Sequence, residues 1–267
     1  MLWNAVNGAV SFPETEMEYV RFGRGQKVLI MLPGLGDGLR SMKGLALPTA
    51  AMYREYAKEY TVYMFSRKNL LPDPYSTREM AEDLLQAMDQ LQIQRADLVG
   101  VSMGGMIAQH FAAAYPDRVG KLVLVVTSPR TNPLQTESLR LWMEQARQDD
   151  HYALMDSNLQ RIYSEEYYRK NKWMIPLVAK LTKPKSYARF LTMAEACLTH
   201  DSYDCLSQIT ARTLVIGGEK DHTLGGEPSR EIAARIPGAQ LKMYAQWGHG
   251  LYEEAKDFNR SVLEFLK

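Results

Sequence analysis

Residues 96–116, ADLVGVSMGGMIAQHFAAAYP, decide how this chain folds. Leu98, Val99 and Val101 form a short apolar run that suits a strand buried on both faces. From Met103 to Tyr115 the spacing turns helical, and Pro116, which lacks an N–H and clashes with the turn before it, ends the helix. Between strand and helix sits Gly100-Val101-Ser102-Met103-Gly104, a match to G-x-S-x-G. A serine at the tip of so sharp a turn takes up a strained backbone, and glycines two residues to either side remove side chains that would collide. The strain lifts the Ser102 hydroxyl clear of the sheet. Gly104, Ala108 and Ala112, four residues apart, give the helix a flat face for close packing on the strands. A five-residue pattern with three fixed positions recurs by chance, so the chemistry needs partners from elsewhere in the chain.

Upstream, Asn7 to Phe12 and Glu16 to Phe22 alternate in part and read as an antiparallel pair at a sheet edge. Lys27 to Leu32 is a continuous apolar strand ending in Pro33-Gly34-Leu35-Gly36-Asp37-Gly38. Gly34 and Gly36 begin the dinucleotide pattern G-x-G-x-x-G, but position 39 is Leu. The strand Tyr60 to Phe65 ends in Ser66-Arg67-Lys68, residues that suit a 2′-phosphate; the broken glycine pattern and the opening hairpin oppose an NADP enzyme. Ser76-Thr77-Arg78-Glu79 resembles a capping box, and Met80, Leu84, Met88 and Leu91 continue it as a helix.

Downstream, Val119 to Val126 repeats the buried-strand pattern, after which no convincing strand appears until residue 207. Leu139, Trp142, Met143 and Ala146 mark one helix there. Tyr167 to Leu181 marks a second, interrupted at Pro176, and Phe190, Met193, Ala194, Cys197 and Leu198 a third. Tyr168 and Lys172 fit Y-x-x-x-K, the short-chain dehydrogenase pair, yet lie in this helical block away from any strand end. Thr213 to Ile216 restores the strand pattern and runs into Gly217-Gly218-Glu219-Lys220-Asp221-His222. Ser229 is expected to cap a short helix closed by Pro237-Gly238, and Gln240 to Tyr244 makes the last strand. Gln246-Trp247-Gly248-His249-Gly250 follows it, and Leu251, Ala255, Phe258, Val262 and Phe265 form the stripe of one terminal helix.

The chain has 267 residues, 46% of them hydrophobic, enough for one large α/β domain with an insertion. Its 32 basic and 31 acidic residues intermingle to a net +1, which offers no field for a polyanion and points away from nucleic acid toward a small substrate. The start, MLWNAVNGAV, has no basic leader and no long apolar core, and no apolar run is long enough to span a bilayer, so a cytoplasmic protein is expected. Cys197 and Cys205 are expected as free thiols. No metal-ligand spacing, repeat or charge block stands out, and neither cofactor nor metal is expected.

Ser102, Asp221 and His249 thus follow three separate strands in the order nucleophile, acid, histidine. With the G-x-S-x-G turn, this order resembles the α/β-hydrolase superfamily over nearly the whole chain. Gly100-Val101-Ser102-Met103-Gly104-Gly105 followed by Met106-Ile107-Ala108-Gln109 looks most like its lid-bearing esterase, enol-lactonase and C-C hydrolase branch. The resemblance implies a mostly parallel central sheet flanked by helices, with residues 1–128 and 208–267 as the core and 129–207 as a helical lid. It implies Ser102 as nucleophile, His249 as base and Asp221 as its partner, the acid falling late in its turn; Glu219 is the rival carboxylate. The acid position that some members use, after the strand ending near Val126, holds Thr127-Ser128-Pro129 and offers no carboxylate. The backbone N–H groups of Leu35 and Met103 are implied as the oxyanion donors, although Pro33-Gly34 stands where the family often has His-Gly. A serine nucleophile argues against dehalogenase and epoxide-hydrolase chemistry. The expected function is a serine hydrolase cleaving a small carboxylic ester or related acyl substrate through an acyl-enzyme. A lactonase, C-C hydrolase or acyltransferase on the same residues, and a non-enzymatic small-molecule receptor on the same fold, stand as alternatives. Oligomeric state is not legible.

Overall fold

The structure, a computed structural model, describes residues 2–267, so Met1 of the opening stretch lies outside the described residues. The strands are β1 (Val6–Phe12), β2 (Thr15–Gly23), β3 (Lys27–Leu32), β4 (Tyr60–Lys68), β5 (Ala96–Val101), β6 (Val119–Val125), β7 (Arg212–Gly218) and β8 (Gln240–Tyr244). They form one sheet in the order β1-β2-β4-β3-β5-β6-β7-β8. β1 and β2 pair antiparallel, as does β2 with β4, and the pairs from β4 onward are parallel.

Helices cover both faces: α1 (Ala46–Met52), α2 (Thr77–Gln90), α3 (Met103–Ala114), α4 (Pro133–Arg147), α5 (His151–Ile162), α6 (Glu165–Asn171), α7 (Ile175–Thr182), α8 (Ala188–Leu198), α9 (Glu227–Arg235), α10 (Leu251–Glu254) and α11 (Phe258–Leu266). Successive strand side chains point to opposite faces, so β3 and β6 serve two cores at once. Ile30, Leu32, Leu122 and Leu124 pack with α2 and α3. Leu29, Met31, Val123 and Val125 pack with α1 and α11 on the other side. β3 has β4 on one flank and β5 on the other, so the strand order reverses there. In open α/β sheets the crevice at the carboxyl ends beside such a reversal is where ligands bind. The turns after β3 and β5 carry Gly34-Leu35-Gly36 and Ser102.

Several elements depart from the expected ones. β4 continues through Ser66-Arg67-Lys68 because Lys68 pairs with Met17 of β2 and the Arg67 N–H donates to Asp37. These residues are therefore occupied in the sheet. α5 has no counterpart among the helices expected from the sequence. The stretch Tyr167 to Leu181, expected to be interrupted at Pro176, is two helices parted earlier, by a 3-10 turn at Lys172–Met174. Pro176 lies in the first turn of α7, where its missing N–H costs nothing. Ser229 is inside α9, whose N-cap is Gly226, since Pro228 already fits the first turn. The terminal helix breaks into α10 and α11, with Ala255 extended at ψ 109°. Asp257 beyond the break accepts hydrogen bonds from Lys242 and Tyr244 of β8, a tertiary anchor invisible to periodicity. The Ser76 capping box is present on α2, and both cysteines are free.

Candidate active site

Ser102 follows β5 and caps α3 with φ 53° and ψ −119°, a positive φ that costs a β-carbon residue energy unless neighbours hold it. They hold it on both sides. A Cβ on Gly100 would lie 2.6 Å from the Gly104 carbonyl oxygen, and one on Gly104 would run into the Leu32 carbonyl of β3. The Ser102 N–H donates to Val125 O (2.8 Å), and its carbonyl accepts from the Thr127 hydroxyl (2.8 Å). Thr127 is itself wedged against Gly105, where a Cβ would sit 2.6 Å from its own. Gln109 Nε2 donates to Thr127 Oγ1 and to Ser128 O. The segment that offers no carboxylate is thus a brace for the serine turn.

The turns after β7 and β8 lie backbone to backbone. Lys220 N donates to Trp247 O (3.1 Å), and a Cβ on Gly248 would fall 2.6 Å from Lys220 O, so glycine is what lets the two turns touch. This contact delivers His249 to Asp221, with Nδ1 2.7 Å from Oδ2. His249 Nε2 is 3.0 Å from Ser102 Oγ. Asp221 and His249 are each 4% exposed, and Oδ1 of Asp221 accepts from the N–H groups of Thr223 (2.8 Å) and Leu224 (3.0 Å). Three expected residues separated by up to 147 positions therefore meet in one line of hydrogen bonds. Glu219 turns outward to pair with Arg230.

Leu35 begins a 3-10 turn and Met103 begins α3, positions whose N–H has no partner within its own helix. A Cβ on Gly34 would sit 3.3 Å from Ser102 Cβ, so the β3 turn lies directly over the serine. That turn is clamped from behind. Asp37 accepts from Ser66 Oγ (2.6 Å) and Arg67 N (2.9 Å), and pairs with Arg189 of α8 at 2.5 Å. Arg189 also donates to Lys68 O (3.0 Å) and Arg67 O (2.9 Å), while the buried Arg67 guanidinium donates to Pro33 O (3.2 Å). Burial lowers the Arg67 pKa below the usual arginine value, with Asp37 opposing. Sequence reasoning singled out neither Asp37 nor Arg189. Their only sequence signals, an acid inside a glycine-rich turn and an arginine in an apolar helix, are too common to act on.

A cavity of about 450 Å³ opens over Ser102 and His249. Leu35, Met106, Tyr53 and Tyr252 line it from the sheet side, and Leu139, Trp142, Ile162 and Phe190 from the helices between β6 and β7. Met103 is fully buried and is not among the residues lining the cavity. Glu253 borders the cavity too, accepting from Tyr163 Oη at 2.7 Å. Burial raises its pKa above the usual carboxylate value, against the Tyr163 hydrogen bond. The other histidines are elsewhere: His110 of α3 meets His200 edge to face, His151 bonds Thr182, and His222 is exposed. Among the described residues no three His, Cys, Asp or Glu side chains gather as metal ligands, and no helix is long and apolar enough to cross a membrane.

Comparison with known proteins agrees with this architecture. A family described as the alpha/beta hydrolase fold matches residues 27–256. A 2-hydroxy-6-oxo-6-phenylhexa-2,4-dienoate hydrolase of Comamonas testosteroni is 26% identical over 94% of this chain and 91% of its own. A 2-hydroxy-6-oxononadienedioate/2-hydroxy-6-oxononatrienedioate hydrolase of Cupriavidus pinatubonensis is 29% identical over 91% and 88%. The solved enol-lactonase of Burkholderia xenovorans LB400 superposes with a TM-score of 0.82 at 24% identity, covering 97% of this chain and 99% of that one. An alpha/beta hydrolase from a Medee basin deep-sea metagenome reaches 0.87 at 23% identity, with 97% of each chain covered.

Proposed function

The chain belongs to the alpha/beta hydrolase fold family, and from that premise we propose that it is a serine hydrolase of small carboxylic esters or related acyl compounds. The observation that carries the reading is the unbroken line Asp221 to His249 to Ser102, at 2.7 and 3.0 Å, on the wall of a largely apolar cavity. Asp221, its other oxygen fixed by two backbone donors, accepts from Nδ1–H of His249, which leaves Nε2 free to accept the Ser102 proton. Ser102 Oγ attacks the acyl carbon as that proton leaves. The imidazolium, steadied by Asp221, then returns the proton to the departing alcohol. Water, deprotonated by His249, releases the acid from the acyl-enzyme. The N–H groups of Leu35 and Met103 receive the oxyanion, and losing one such donor typically costs about 3 kcal/mol of transition-state stabilisation.

Residues 129–207 act in this reading as a lid over the core formed by 1–128 and 208–267. Support comes from Leu139, Trp142, Ile162 and Phe190 roofing the cavity. The test is labelling with a fluorophosphonate, with the adduct located by mass spectrometry and Ser102→Ala as control. An adduct on Ser102 that the control lacks is expected. No adduct on folded protein, with the probe small enough to enter the cavity, sinks the mechanism.

A second reading, carbon-carbon bond hydrolysis on the same three residues, is favoured by the names of the curated relatives. Turnover of a 2-hydroxy-6-oxo-dienoate well above that of simple esters would select it.

A further inference from the structure

The outer side of the helical segment carries a feature that the hydrolase reading does not use. Trp173, Leu177 and Leu181 recur every four residues and are 73%, 59% and 75% exposed. Ile175 and Ala179 of the same stretch are buried against the molecule, so the three large side chains form one outward stripe. Six exposed cations lie in the same stretch of chain, Arg169, Lys170, Lys172, Lys180, Lys183 and Lys185, and no Asp or Glu occurs between Tyr167 and Ala194. Lys183 pairs with Asp149 and Arg169 stands 3.9 Å from Glu165. Among the described residues the other four have no ion pair.

We propose that this face docks the protein on anionic phospholipid bilayers, with Trp173, Leu177 and Leu181 entering the headgroup boundary and the lysines meeting lipid phosphates. An apolar stripe rimmed by cations, with Trp among the apolar residues, is the composition of a helix lying in a membrane interface. In a chain of net +1, this local excess is set apart from the intermingled charge elsewhere. A second copy fits less well. A two-fold contact would set the six cations against their own copies, and three side chains on two turns fall well short of the roughly 800 Å² per partner that a stable interface buries. The proposal is independent of the catalytic reading.

The test uses the full chain with vesicles of phosphatidylcholine, alone or mixed with phosphatidylglycerol. Binding to the mixed vesicles is expected to be at least about tenfold stronger, and to weaken as salt rises. Brominated acyl chains should quench the emission, and Trp173→Phe should lose that quenching. The combined Lys170→Glu, Lys172→Glu, Lys180→Glu and Lys185→Glu variant should bind at least about tenfold less, with Ser102 labelling by a soluble probe unchanged. Failure of the wild-type chain to partition at low salt overturns the proposal, as does undiminished binding by the variant. A dimer in light scattering that Leu177→Asp dissociates also overturns it and assigns the face to a second copy.

Discussion

Asp221 carries two separable tasks at the residue scale, holding its own turn through Oδ1 and His249 through Oδ2. Asp221→Asn keeps an acceptor for the turn but no longer demands Nδ1–H of the histidine. The variant is expected to melt within a few degrees of wild type while turnover in the proposed hydrolysis falls by about four orders of magnitude. Equal losses in stability and turnover would mean that the side chain serves only the turn. The glycines make a matching contrast. Gly104→Ala drives a Cβ into Leu32 O, whereas nothing lies within 4 Å of a Cβ at Gly36. Denaturant unfolding should show a loss of about 3 kcal/mol or more for the first and within about 0.5 kcal/mol for the second.

Among the elements, α8 and the turn after β3 are one mechanical unit. Asp37 has a fully buried side chain, and Arg189 answers its charge while capping the carbonyls of Arg67 and Lys68. Arg189→Leu strands that carboxylate and should cost about 3 kcal/mol or more of stability. If Leu35 N–H serves the oxyanion, kcat should fall more than KM rises, because the turn that carries it is loosened. A stability loss with kcat intact would detach the clamp from the chemistry. None of this was legible in the sequence. Strand and helix periods and turn sterics are local, whereas the partner of Arg189 lies 152 residues away. The same locality explains why the sequence sets the interruption of Tyr167 to Leu181 at Pro176 and not at Lys172–Met174. Periodicity continued across Lys172–Met174, and only packing reveals the break.

For the whole molecule, acid is the expected weakness. Burial lowers His200 to about 3 and His110 to about 4, with His110 adding to the first and Arg78 to the second; Asp201 opposes the shift of His110. Around them lie Thr77 of α2, Cys205 and Ser202. Both histidines stay neutral in the fold while the unfolded chain takes up protons near 6.5. Protons therefore favour unfolding, and the stability present above pH 6.5 is lost progressively down to the native values. The melting temperature should fall from pH 7 to pH 5, and His200→Gln should flatten that slope. An unchanged slope would place the acid sensitivity elsewhere.

The sequence by itself determined the serine turn with its flanking glycines Gly100 and Gly104, and the chain order of the three strand-end turns that carry Ser102, Asp221 and His249. Each is written in a few neighbouring residues, as a repeat of two or near four or as the absence of a Cβ. The tertiary structure alone decided that Glu219, the rival carboxylate, turns away to Arg230, that Thr127 braces Ser102, and that Arg189 holds the β3 turn. Those outcomes depend on distances between residues far apart in the chain, fixed only when the sheet and its two cores pack.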